Sequence, residues 1–130
     1  MIGTLAAFRA YAAARGDHAP TVAGDAEATA ALVRASDHIL HDYVARFAPS
    51  YDAASPRVEE ATYEAAMIEI TSPRFFARTY TPGERKVLVA VDTIRWQVVG
   101  GGGMTPVSTR IETMLAGYLR PSAATAVLVV

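Results

Sequence analysis

The stretch from Asp25 to Phe47, DAEATAALVRASDHILHDYVARF, decides the fold class. Ala28, Leu32, Ala35, Ile39, Tyr43 and Phe47 recur in it at steps of three or four, the repeat of one buried face on an α-helix. Asp25 can cap its start, Glu27 lies near the positive end of the helix dipole and Arg46 near the negative end. Toward the N-terminus, Leu5 to Arg15 repeats the pattern on a smaller scale. Leu5, Phe8 and Ala12 form its stripe, Thr4 is a candidate N-cap and Gly16 follows its end. The alanine-rich face is thin, so this helix needs a larger neighbour to pack on. Pro20 to Gly24 breaks the pattern between the two.

Beyond Phe47, Ala48 to Ala54 reads as a loop. Ser55 and Pro56 then form an N-cap and first-turn pair that opens a helix through Ile70, with Val58, Ala61, Ala65, Ile68 and Met67 as its apolar positions and Pro73 as its stop. Ser72 to Gly83 reads as a short helical turn followed by a loop. From Arg85 to Val99 the period changes to two: Val87, Val89 and Val91 alternate, as do Ile94, Trp96 and Val98, which predicts a β-hairpin turning near Asp92-Thr93. Gly100 to Gly103 gives a flexible connection to Thr105-Pro106, a second N-cap and first-turn pair. The final helix carries Val107, Ile111, Met114, Leu115, Tyr118 and Leu119 on its stripe, and Pro121 stops it. The expected fold is therefore mainly α, a bundle of about four helices with a β-hairpin before the last one. Residues 1–120 form one domain and residues 121–130 an extended C-terminal arm. That arm ends in Ala126, Val127, Leu128, Val129 and Val130, an uncharged β-prone run that is an aggregation hazard unless something pairs with it.

Composition bounds the function. With 130 residues, 52% of them apolar, one domain burying roughly two-thirds of its unfolded surface is expected. A net charge of −1 with 19% charged residues lacks the basic excess of a dedicated nucleic-acid binder and favours protein partners. The absence of cysteine excludes disulfides, thiolate metal sites and a cysteine nucleophile. No apolar stretch spans a bilayer and Met1 to Arg9 lacks the pattern of a signal peptide, so no membrane partner and a cytosolic chain are expected. Charge divides unevenly: residues 1–72 hold five basic and ten acidic side chains (net −5), residues 73–130 seven and three (net +4). Such halves can attract each other within a monomer or orient a head-to-tail contact between copies.

Chemistry-bearing residues are sparse. His38 and His41, beside Asp37 and Asp42, read as a solvated helix face, because metal sites usually need three or four convergent ligands and the chain's remaining histidine is His18. The four glycines lack the Gly-Lys-Ser/Thr sequence of a phosphate loop. Glu59, Glu60 and Glu64 read as acidic solvent-facing surface, and no nucleophile elbow or zinc-protease motif is present. No enzyme, metal or cofactor is expected; a hydrolase would need titratable groups converging in one pocket. Arg74-Phe75-Phe76-Ala77-Arg78, continuing to Tyr80, Arg85 and Lys86, interleaves cations with aromatics, the mixture that contacts phosphates and stacks bases. Arg74, Arg78, Arg85 and Lys86 are the candidate DNA contacts, set against Phe75 and Phe76 as core anchors.

Read in order, TLAAFRAYAAARGD, GDAEATAALVRASDHILHDYVARFAPSYD, VEEATYEAAMIEI, GERKVLVAVDTIRWQVV and MTPVSTRIETMLAGYL resemble the head-tail adaptor (head-completion) proteins of long-tailed bacteriophages and gene transfer agents. The resemblance covers about residues 4–120. It implies a small helical subunit in a ring, commonly of twelve copies, in the virion neck beneath the portal protein, with a stopper or tail-terminator protein below and double-stranded DNA passing through the channel. Such a protein would be made in the host cytoplasm and catalyse nothing. By analogy the arm, residues Ala126, Val127, Leu128, Val129 and Val130, would dock on the portal by adding a strand to a sheet edge. Tyr80 and Trp96 would meet the neighbouring subunit, since amphipathic rings favour interfaces. Related phage sequences are labelled DnaT-like single-stranded-DNA-binding proteins, which this chain also resembles; that is the alternative function.

Overall fold

In the computed structural model, which describes residues 1–81, 94–98 and 103–120, the chain is mainly helical with one two-stranded antiparallel sheet. The described residues run α1 (Leu5–Ala14), α2 (Ala19–Val22), α3 (Asp25–Asp42), α4 (Val58–Thr71), β1 (Ile94–Val98), β2 (Met104–Ser108) and α5 (Thr109–Leu115).

The dominant helix pair is α3 against α4. All six positions of the predicted α3 stripe, Ala28, Leu32, Ala35, Ile39, Tyr43 and Phe47, are buried. Opposite them α4 buries Val58, Ala61, Ala65 and Ala66, so small side chains meet across the seam and let the backbones approach closely. Phe8 of α1 and Ile111 and Leu115 of α5 close the same core. Because α1 has a thin face, polar anchors help fix it. The Ile2 N–H donates to Ser36 Oγ at 2.9 Å, the Thr4 N–H to Tyr63 Oη at 3.2 Å, and Phe8 stacks on Tyr63 at 5.8 Å. Gly3, at φ +77°, passes so close to the Tyr63 ring that a Cβ there would collide with it. Arg9 ties α1 to the α2–α3 connection, donating to the Pro20 and Ala23 carbonyls and pairing with Asp25 at 2.8 Å.

Several boundaries differ from the sequence reading. Ala19–Val22 is a helical turn opened by Pro20, so the proline starts structure where it was expected only to interrupt it. Gly24, not Asp25, occupies the N-cap of α3, and the helix stops at Asp42. Tyr43 leaves helical geometry, Val44–Arg46 forms a 3-10 turn, and Phe47 is extended and bridged to Leu119. Main-chain bonds from Ala48 N to Tyr118 O and from Arg120 N to Arg46 O replace the helical ones there. The helix expected from Ser55-Pro56 begins two residues later, at Val58 after Arg57 in a left-handed conformation, because Ser55 Oγ accepts from the Asp52 N–H in its own turn.

The largest correction is at the C-terminal end. Thr105-Pro106 does not open a helix but lies in β2, which pairs with β1 in the register Ile94 to Ser108, Trp96 to Pro106 and Val98 to Met104. Thr105 before a proline is pushed toward extended geometry, and the fixed proline φ is tolerated in a two-stranded ribbon. Ser108 caps α5 instead, its Oγ accepting from the Ile111 N–H at 3.3 Å. The helix is accordingly shorter than predicted, and a 3-10 turn, Ala116–Tyr118, completes it. The four glycines therefore fall between two paired strands rather than between strand and helix. The expected first arm of the hairpin around Val87 to Val91 lies outside the described residues. So do Arg85, Lys86 and the arm residues Ala126, Val127, Leu128, Val129 and Val130.

Ile39, fully buried on α3, tests the seam. Ile39→Ala should lower unfolding free energy by about 2–5 kcal/mol, read by urea denaturation, whereas a change at exposed Val33 should stay within about 0.5 kcal/mol.

Candidate functional site

The segment expected to carry function, residues 74–80 with Trp96, is held by a buried carboxylate. Glu69 on α4 is 1% exposed, accepts from Arg34 Nε at 3.0 Å and from the Arg74 N–H at 2.7 Å, and has the Phe76 N–H at 3.5 Å. It thus satisfies orphan donors of the Phe75–Ala77 3-10 turn while pairing with a cation from α3. The sequence reading missed it, although an acid on the buried side of α4 ahead of a Ser-Pro turn was its available signal.

With the turn fixed, Phe75 goes inside. It is 1% exposed and lies against Tyr80 and Trp96, at 5.7 and 6.1 Å between centroids. Tyr80 is itself 3% exposed; its hydroxyl donates to the Phe75 carbonyl at 3.0 Å and its main chain exchanges two bonds with Met104 of β2. Tyr80, expected to meet a neighbouring copy, is thus an interior residue of the described fold. Trp96 is half-buried on the outer side of this cluster, and Val98 beyond it is 69% exposed. Of the two ring residues expected to meet a neighbour, Trp96 retains accessible surface.

Arg74 and Arg78 flank the turn and are exposed, with the Arg78 guanidinium 4.9 Å from the Tyr80 ring centroid. The structure leaves both cations exposed but does not supply beside them the open faces of Phe75, Phe76 and Tyr80 that base stacking needs. Phe75 and Tyr80 are interior, and the face of Phe76 is occupied by His38, parallel to it at 4.1 Å.

That stack corrects a second expectation. His38 is not on a solvated face: its side chain is 9% exposed, its Nδ1 lies 2.7 Å from Asp42 Oδ2, and its buried Nε2 has no hydrogen-bond partner among the described residues. His41 is exposed, as expected. Among the described residues no group of three or more histidine, aspartate or glutamate side chains could hold a metal ion. Glu59 and Glu60 are exposed, but Glu64 is turned inward, accepting from the Tyr11 hydroxyl at 2.9 Å and pairing with Arg110 at 2.9 Å. A cavity of about 900 Å³ lies between α1 and residues 53–57; Ser55, Glu59 and Glu60 line it, with no histidine among its lining residues. No described helix is long and apolar enough to cross a membrane.

Three tyrosines are shifted. Burial, and then the Glu64 hydrogen bond, push Tyr11 up to about 12; burial and the Glu59 bond do the same for Tyr63; burial and the Glu112 charge raise Tyr43 to about 12. All three remain neutral at physiological pH, and Tyr11 and Tyr63 donate to their carboxylates. The hydrogen bond from His38 holds Asp42 below its ordinary value, against the opposing effect of partial burial.

Comparison of the chain with protein-family models, with curated proteins and with solved structures finds no match.

Two measurements check this geometry. Glu69→Gln removes the charge from a site of three donors and should cost about 1.5–3 kcal/mol in denaturant unfolding, with Trp96 fluorescence changing because the turn beneath it loosens. For Asp42, whose carboxyl is depressed in the fold, the stabilising contribution is complete above its ordinary pKa and disappears as pH falls through the lowered value. The stability gap between the wild type and Asp42→Asn should therefore shrink as pH falls through the acid range in which the carboxyl is protonated, as read from denaturation midpoints across pH.

Proposed function

We propose that the chain is a non-enzymatic head-tail adaptor subunit, one member of a homo-oligomeric ring in the virion neck that joins a portal protein to a stopper or tail-terminator and surrounds the DNA conduit. In this reading α1, α3, α4 and α5 act as a bundle of about four helices, and residues 121–130 are the arm that reaches the portal.

The observation that carries the reading is the latch at the end of the described chain. Leu119 is bridged to Phe47, Arg120 N donates to the Arg46 carbonyl and Arg120 Nε to the Phe47 carbonyl at 3.0 Å. Tyr118 stacks on Tyr51 and its hydroxyl donates to the Pro56 carbonyl. The described chain is thus anchored as far as Arg120, and the uncharged run Ala126, Val127, Leu128, Val129 and Val130 lies further on in sequence. A β-prone apolar run attached to an already anchored body suits strand addition to another protein's sheet edge. The exposed Val98 and half-buried Trp96 on the hairpin suit contact with a neighbouring copy. The order of sequence segments that resembles adaptor proteins supports the same assignment.

The alternative, single-stranded-DNA binding through Arg74, Arg78, Arg85 and Lys86, is disfavoured by the interior placement of Phe75 and Tyr80. It would require filter retention of single strands that is lost on Arg74→Ala and Arg78→Ala.

Deleting residues 126–130 decides the portal assignment. The shortened chain should keep the circular dichroism and melting temperature of the parent while failing to co-sediment with the portal and failing to complete particles. Normal particle assembly by the shortened chain would remove the docking role.

A further inference from the structure

Away from the hairpin, three arginines from distant parts of the chain line one shallow surface cavity of about 520 Å³. Arg15 comes from the end of α1, Arg57 from the residue ahead of α4, and Arg110 from the first turn of α5. Glu60 is the one carboxylate lining the cavity with them.

Two of the three are held in place from beneath. The Arg15 guanidinium lies 3.5 Å over the Tyr11 ring and donates from Nη1 to the Tyr11 carbonyl at 3.1 Å. Tyr11 in turn donates its hydroxyl to Glu64, whose other oxygen takes Arg110 Nε. Glu64 is 12% exposed while Arg110 is 56% exposed, so the carboxylate forms the floor and the guanidinium the rim. Arg57 is exposed, with no ion pair and no side-chain hydrogen bond among the described residues. Counting Glu60 and Glu64 against the three arginines leaves a local net charge of +1, although Arg15 and Arg57 lie in the half of the sequence whose formal charge is −5.

We infer that this cluster is an oxyanion site that grips a phosphate of a DNA duplex backbone. Planar guanidinium groups match phosphate oxygens in a bidentate manner, and stacking on Tyr11 fixes one of them before the ligand arrives. The cavity is shallow and its cations are exposed, so it does not enclose a small metabolite. It suits one phosphate of a polymer that gains affinity from repeated contacts along its length. The choice of a DNA duplex as the polymer rests on the neck-ring reading, while the binding itself can be measured on the free chain.

The test uses the full chain. Inorganic phosphate is titrated while the arginine Nε–H resonances are followed by NMR, and a labelled duplex of about 20 base pairs is titrated at low salt by fluorescence anisotropy. Phosphate should shift the Arg15, Arg57 and Arg110 resonances. Duplex affinity should fall about 3–10-fold in Arg57→Gln and in Arg15→Gln, with the salt dependence reduced by about one counterion for each arginine removed. Arg57→Gln breaks no described side-chain contact, so it separates binding from folding; unchanged circular dichroism confirms that. Duplex affinity unchanged in both variants overturns the site. Phosphate shifts without duplex binding overturn the nucleic-acid assignment, and an acidic peptide that binds more tightly than the duplex reassigns the site to a protein partner. None of these outcomes bears on the arm deletion, which leaves all three arginines in place.

Discussion

The buried carboxylate of Glu69 is the constraint on which the hairpin end of the molecule depends. One side chain joins α3 through Arg34, α4 through its own backbone, and the 74–76 turn through two main-chain donors. A buried charge is tolerable only with such partners, so each neighbour is held to the geometry that supplies them. Once the turn is set, Phe75 enters the interior, Tyr80 closes over it and bonds to β2, and the hairpin acquires its position relative to the helices. The helical core follows a different rule. It rests on close approach of small residues along α3 and α4, with Phe8, Leu32 and Ile39 filling the space between them.

The helical part was legible because its signals are local and repetitive. The stripe from Ala28 to Phe47 is buried throughout, even though the helix itself ends at Asp42. Side-chain burial survived where backbone geometry changed, because Phe47 reaches the core equally well from an extended segment bridged to Leu119. Thr4 and Gly16 marked the ends of α1 for similarly local reasons. Thr105-Pro106 misled because a proline at a helix start and a proline in a ribbon strand have the same φ, and only the partner strand distinguishes them. Ser108 was the better cap, since it places Ile111 and Leu115 inward.

The candidate sites were less legible because their residues are joined by tertiary contacts. Glu69 lies five positions from Arg74 but 35 from Arg34, and no periodicity reports that pairing. His38 looked solvated beside its acidic neighbours, yet Phe76 covers its ring from another element. Glu64 resembled its exposed neighbours Glu59 and Glu60 until Tyr11 and Arg110 were found to meet on it. The arginine cavity draws on positions 15, 57 and 110 and has no motif at all. Tyr80, expected at an interface by analogy, is buried against Phe75 and Trp96, contacts that no local sequence pattern reports.

The placement of the single tryptophan gives the molecule a built-in optical gauge. Trp96 rests edge to face on Tyr80 at 5.2 Å, on the first strand of the two-stranded sheet. Its emission wavelength and quenching report whether the ribbon is seated, while far-ultraviolet dichroism is dominated by the helices. Seating of the ribbon and integrity of the helices can therefore be followed as two separate signals in an unlabelled sample.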